Sequence, residues 1–215
     1  MLLLLILPVF LYTASAHAFK FEEVVDKAKA LAEGKYEPPP EVPGFLRDLD
    51  YQEYQAIRFN PEASLWREGR SRFQVMMVPP GNFYTHAVKL NEIDADGVHP
   101  IQFDRTAYSF PTSDLAKRIP ADLGHAGFKL TYPLGAGTEQ NQFLVFAGAS
   151  YFRGVGARNR FGISARGIAV DTGLPSGEEF PSFVEFWLER PGAGSDRMRV
   201  YGLLNGPRFT IQTVC

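Results

Sequence analysis

The residues best suited to chemistry lie between Gly148 and Glu189. The segment Gly148-Ala149-Ser150-Tyr151-Phe152-Arg153-Gly154-Val155-Gly156 sets an aromatic pair and an arginine between glycines. Glycine lets backbone come close to a ligand. Aromatic faces stack on the C–H faces of sugars, and a guanidinium offers several donors to hydroxyl groups. The segment reads equally well as a ligand-contacting loop built on Tyr151 and Arg153 or as a hairpin corner. Its glycine spacing matches neither a P-loop nor a dinucleotide fingerprint, so nucleotide binding is not expected. Ser150 stands in G-A-S-Y-F rather than in a G-x-S-x-G elbow, which argues against a serine hydrolase.

A second group lies just beyond. Arg166 sits in an otherwise apolar run, and a buried arginine needs a carboxylate partner. Asp171, Glu178 or Glu179 could supply it, as a structural ion pair or as part of a cleft wall. Glycoside hydrolysis with inversion needs two carboxylates about 6.5–9.5 Å apart across the sugar. Neighbouring residues rarely face one substrate together. Glu178 and Glu179 therefore read as one surface charge plus one binding or structural group, with Glu179 the candidate. In FVEFWLER, strict alternation would put Phe183, Glu185, Trp187 and Glu189 on one face and Val184, Phe186 and Leu188 on the other, in the core. The first face suits a sugar-binding sheet through Trp187, or a half-exposed surface.

The four histidines show no ligand spacing, so a metal site is not expected, and no motif calls for a cofactor. The single cysteine, Cys215, is terminal and a poor nucleophile candidate. Basic and acidic residues number 22 and 24 and are interspersed, so the basic stripe of a nucleic-acid binder is missing.

The elements that must position these residues are mostly strands. Phe21, Val24, Val25, Ala28 and Leu31 fall at helical spacing, which predicts one helix over 19–34 with Gly34 as its stop. Tyr36 to Pro43, with four prolines, reads as an extended connector. Residues 50–59 predict a short helical turn, and 114–119 a weak helical insert. From Arg72 onward short runs predict strands at 72–78, 86–93, 98–103, 126–134, 142–152, 161–170, 183–191 and 198–204, with Asp96-Gly97 as hairpin turn chemistry. Sixteen prolines, twenty glycines and eighteen phenylalanines fit the same picture. The predicted class is all-β, an antiparallel β-sandwich with a short N-terminal helix. Phenylalanine richness serves a sandwich core first, and a sugar cleft second.

The first eighteen residues are read as a cleavable signal peptide: an apolar run to Leu11, then Ala16-His17-Ala18 as an A-x-A site. The run is too short for a span of roughly 20 residues, so no stable membrane span is expected after cleavage. An uncleaved anchor is the alternative, since no Lys or Arg precedes the run.

Several stretches together carry a resemblance. They are FEEVVDKAKALAEGKYEPPP, LDYQEYQAIRFNPEASLW, FQVMMVPPGNFY, IPADLGHAGFKLTYPL and the long run FLVFAGASYFRGVGARNRFGISARGIAVDTGLPSGEEFPSFVEFWLERP. The chain resembles the periplasmic glucans biosynthesis protein G/D family over nearly all of residues 19–215. The resemblance implies export to the Gram-negative periplasm and a role in making osmoregulated periplasmic glucans with β-1,2-linked backbones. It implies a galactose-mutarotase-like sandwich with a glucan cleft, in which Tyr151, Arg153, Arg166, Glu179 and Trp187 are the expected binding residues. Its implied partners are β-1,2-glucan chains and the membrane glucan synthase. Relatives are similar to inverting endo-β-1,2-glucanases whose general-acid Asp is expected beyond residue 215. Residues 19–215 are thus expected to be the N-terminal part of a truncated sandwich, with RFTIQTVC in place of further strands. A non-catalytic scaffolding module and an inactive fragment stand as alternatives.

Overall fold

The computed structural model describes residues 19–156, 159–160 and 162–215. The expected leader (1–18) and the start of the expected strand at 161 lie outside the described residues. Helix α1 (Phe21–Glu33) begins with Glu22 and Glu23 in its first turn, where carboxylates meet the positive end of the helix dipole, and stops at Gly34. Short helices α2 (Gly44–Arg47), α3 (Tyr51–Gln55) and α4 (Ser113–Arg118) interrupt the remaining chain. Asp50 caps α3 by accepting from the Glu53 N–H, and Thr112 caps α4 through Leu115.

The described residues form twelve strands in chain order: β1 (Arg58–Phe59), β2 (Gln74–Val78), β3 (Lys89–Asp94), β4 (Gly97–Pro100), β5 (Tyr108–Ser109), β6 (Gly127–Tyr132), β7 (Asn141–Ala147), β8 (Tyr151–Gly154), β9 (Ala165–Arg166), β10 (Ser182–Glu189), β11 (Val200–Asn205) and β12 (Thr210–Val214). One sheet runs β12-β11-β10-β3-β4, a second β2-β6-β7-β8-β9, and β1 pairs with β5. The fold is an all-β sandwich, as its alternating runs predict. One pairing departs from the antiparallel rule: β3 lies parallel to β10, from Lys89 opposite Glu185 to Ile93 opposite Glu189.

The sandwich interior is an aromatic seam. Phe128 and Phe146 on the second sheet meet Phe183 and Phe186 on the first, with ring centroids 5.1 to 5.6 Å apart across the gap. Such edge contacts contribute about 0.5–1.5 kcal/mol each beyond their buried area.

Strict alternation along β10 fails at one point. The register slips between Phe183 and Glu185, a β-bulge that turns Phe183 into the interior beside Phe186 and Leu188. Val184 is left half-buried on the other side, so the expected core set is corrected by one exchange. That other side is no open face. Helix α1 covers it with Val24 and Ala28, packed on Ile93, Trp187 and Leu203. Lys27 Nζ donates to Glu185 at 2.9 and 3.0 Å, and Asn91 Nδ2 adds a third bond to the same carboxylate at 3.0 Å.

The expectation that residues after Pro207 add no strand is also corrected. Thr210 to Val214 pair with β11 from Asn205 back to Tyr201, closed by a turn in which Gly206 N–H donates to the Phe209 carbonyl. The expected strand at 142–152 is two strands, β7 and β8, folded back at Gly148-Ala149-Ser150.

His125 lies in the interior, 3% exposed. Nε2 meets the Gln102 carbonyl at 3.4 Å, so Nδ1, 2.9 Å from the Tyr108 hydroxyl, accepts. Burial pushes the imidazole down from its ordinary 6.5 to about 4. The unfolded chain therefore takes a proton first. The stability this group contributes is complete above about pH 6.5 and is lost as pH falls toward 4, about 2 kcal/mol between pH 7 and pH 5. Urea unfolding at those two pH values should show that loss, and His125→Gln should flatten it. Equal pH slopes in the two proteins would contradict the assignment.

Candidate functional site

Three of the five sequence-predicted residues come together. Strand β8 pairs with β9 so that Tyr151 stands directly opposite Arg166. Directly opposed residues share a face, and so do residues two apart on a strand, which puts Tyr151, Arg153 and Arg166 on the outer face of the second sheet. The Arg166 guanidinium lies 5.9 Å from the centroid of Tyr151 and 5.9 Å from that of Phe180, bridging two exposed rings. Arg153 donates through Nε and Nη2 to Ser164 Oγ at 3.2 and 3.1 Å.

The turn that makes this possible holds two positive-φ residues, Gly148 (φ 75°) and Ala149 (φ 43°). At Gly148 a Cβ would sit 2.9 Å from the Tyr84 ring, so glycine serves both the turn and the close approach. Tyr84 is drawn onto the hairpin and forms one wall of a cavity of about 270 Å³, near the small end of ligand pockets. Phe83, His86, Ala149, Phe180 and Ser182 complete the walls that matter. Phe83 is 81% exposed and Phe180 52%, a large apolar area at a surface for residues that pack on little. Burial pushes the Tyr84 hydroxyl up, with Arg153 pulling it partly back and Tyr51 adding to the rise. It is thus a proton-bearing donor at neutral pH.

The other two residues are placed elsewhere. Glu178 and Glu179 diverge: Glu178 forms the ion pair with Arg166, and Glu179 turns to Arg208. Arg208 also holds Asp171, whose φ is 57°, so Asp171, Arg208 and Glu179 form a closed ion cluster at the β11–β12 turn. The carboxylate partner expected for Arg166 is Glu178. Trp187 lies under α1, 2% exposed, its ring 6.0 Å from Phe19 and 5.0 Å from Lys27 Nζ. It shares no surface with Tyr151. Ser150 is buried, 1% exposed.

Sequence reasoning missed Phe83, Tyr84 and Phe180. A signal was present for the first two: Phe83-Tyr84 comes after the turn Gly81-Asn82, as Tyr151-Phe152 comes after Gly148-Ala149-Ser150, and both turns carry positive φ at a glycine and its successor. Among the described residues, no group of three or more His, Cys, Asp or Glu side chains gathers as a metal-holding cluster, and no helix is long and apolar enough to cross a membrane.

The comparisons agree with this geometry in extent. The profile of the family described as Periplasmic glucan biosynthesis protein, MdoG, matches residues 19–212, spanning both sheets and the candidate site. Glucans biosynthesis protein G of Pseudomonas paraeruginosa is 41% identical over 198 residues, covering 92% of this chain and 38% of that relative. The protein of the same name from Ralstonia nicotianae is 41% identical over 197 residues, covering 91% of this chain and 39% of the relative. The chain thus spans under two fifths of the length of these curated relatives. A match over nearly every described residue, at this identity, places the chain in the periplasmic glucan biosynthesis protein family, MdoG.

Proposed function

We propose that this chain acts in the periplasm as a glucan-binding part of the biosynthesis of osmoregulated periplasmic glucans, and that it binds β-1,2-linked glucose chains along the outer face of β8 and β9. The observation that carries this reading is the bridge of Arg166 between the exposed rings of Tyr151 and Phe180, beside the cavity walled by Tyr84. Two rings give apolar faces for pyranose C–H groups, while Arg153 and the Tyr84 hydroxyl give donors for sugar oxygens. The arrangement favours binding over cutting by these residues. The paired carboxylates needed for inversion, about 6.5–9.5 Å apart across one sugar, have no match in Glu178 and Glu179, each held by a different arginine. Hydrolysis of β-1,2-glucan by the longer relatives, and contact with a membrane synthase, extend the same reading.

Titration calorimetry of the chain with linear β-1,2-glucan oligomers tests it, together with an assay for new reducing ends. Saturable heat without new reducing ends is the expected result. No heat with any oligomer length sinks the reading, and depolymerisation would transfer the role to a catalytic one.

A further inference from the structure

The outer face of the second sheet continues beyond the aromatic bridge. Cross-strand register sets Met76, Lys129, Val145 and Arg153 in one row on β2, β6, β7 and β8. Lys129 and Arg153 are therefore two strand spacings apart, about 10 Å, on the same side of the sheet. Several cations among the described residues are compensated by a carboxylate. Arg47, Arg67, Arg166, Arg190, Arg199 and Arg208 each meet a carboxylate. Lys129 and Arg153 do not: among the described residues Arg153 hydrogen-bonds the neutral Ser164 hydroxyl and meets no carboxylate, and Lys129 has no hydrogen-bond or ion-pair partner.

The lysine is the more telling of the two. It is half-buried on the sheet between Met76 and Val145, and burial alone lowers its pKa, with no neighbouring charge acting the other way. Removing an ammonium from water without an anion is costly, and such a group gains most from an anion brought to it. Arg153 adds a planar donor array suited to phosphoryl or carboxylate oxygens. The chain as a whole is acidic, with net charge −2, so this row is a local exception.

We propose that Lys129 and Arg153 form a subsite for an anionic group, a phosphoryl or carboxylate, carried on the glucan chain that occupies the Tyr151–Arg166–Phe180 platform. The inference rests on the glucan-binding reading above and narrows its ligand from any glucan to one bearing negative charge. Attachment to the sugar is the source we favour over a free ion, because the row runs directly into the ring platform through Arg153, two residues from Tyr151.

The test compares three probes by titration calorimetry at about 20 mM and about 500 mM salt: a neutral linear glucose oligomer, the same oligomer bearing one phosphate monoester, and inorganic phosphate alone. The phosphorylated oligomer should bind about tenfold tighter than the neutral one at low salt. That advantage should shrink to about twofold or less at high salt, where the Debye length is only a few ångströms. Lys129→Met should remove most of the advantage while leaving the neutral oligomer's affinity within about twofold, because Lys129 does not touch the ring platform. Should that variant misfold, the salt dependence of the unaltered chain still decides. Equal affinity for the two oligomers overturns the anionic subsite and leaves glucan binding standing. Failure of both to bind overturns the two readings together. Inorganic phosphate binding as tightly as the phosphorylated oligomer overturns attachment to the glucan and makes this a free-anion site.

Discussion

Gly127→Ala is expected to be the most damaging single-atom-scale change in this fold. A Cβ at position 127 would stand 1.9 Å from the Phe146 carbonyl oxygen and 2.9 Å from its carbon. Both atoms are backbone of β7, the strand whose Ala147 lies opposite Gly127. No side-chain rotation relieves that contact, so β6 and β7 must part where they carry Phe128 and Phe146 into the aromatic seam. Overpacking that forces backbone apart costs about 3 kcal/mol or more, a large share of a domain's total stability. The thermal midpoint should fall by about 10 °C. Gly135→Ala is the control, since an added Cβ there meets nothing within 4 Å, and its midpoint should stay within about 2 °C. Matching melts for the two variants would show that the β6–β7 approach is looser than described. The damage should spread to the candidate site, because β7 leads directly into the Gly148 turn that aims Tyr151 and receives Tyr84.

The largest functional effect is expected from Tyr151→Ala combined with Phe180→Ala. Each ring is exposed, 36% and 52%, so their loss should leave the melt within about 2 °C of the unaltered chain. Both lie 5.9 Å from the Arg166 guanidinium, so the double change removes two stacking faces and strips the arginine of its support. At about 1 kcal/mol for each face and a similar amount for the cation contact, affinity for a glucan oligomer should drop by about 100-fold. Trp187→Ala should do the reverse. Its ring is buried under α1, so truncation should cost about 3–5 kcal/mol of stability while the folded fraction binds glucan normally. A double variant that binds as tightly as the unaltered chain would remove the ring platform from the site.

The contrast between Tyr151 and Trp187 also measures how far residue pattern reaches. Tyr151 and Arg153 were legible because a glycine-bounded turn is local: Gly148 must supply the backbone conformation, and the residues just after the turn are thrown to the surface. Arg166 was legible through its charge in an apolar run, which demanded a carboxylate wherever the fold placed one. Trp187 was not, because alternation says which residues share a face and never what covers that face. Here α1, more than 150 residues earlier in the chain, closes it through Lys27 and Glu185. The partner of Glu179 was hidden for a similar reason. That partner, Arg208, belongs to a β11–β12 turn that local pattern did not reveal, since TIQTV is short and half polar.

The amino-acid sequence by itself determined the class of this protein and most of its strands, because alternation, turn residues and the one helical period are local physical requirements that each segment meets alone. It also determined the family, through long motifs read in order. Only the tertiary structure decided which candidates form one surface. The parallel pairing of β3 with β10, the bulge that turns Phe183 inward and the folding of Phe83, Tyr84 and Phe180 around the Gly148 turn all join residues far apart in the chain. Such contacts are set by which buried faces fit together, a property of the whole packed sandwich that no single segment encodes.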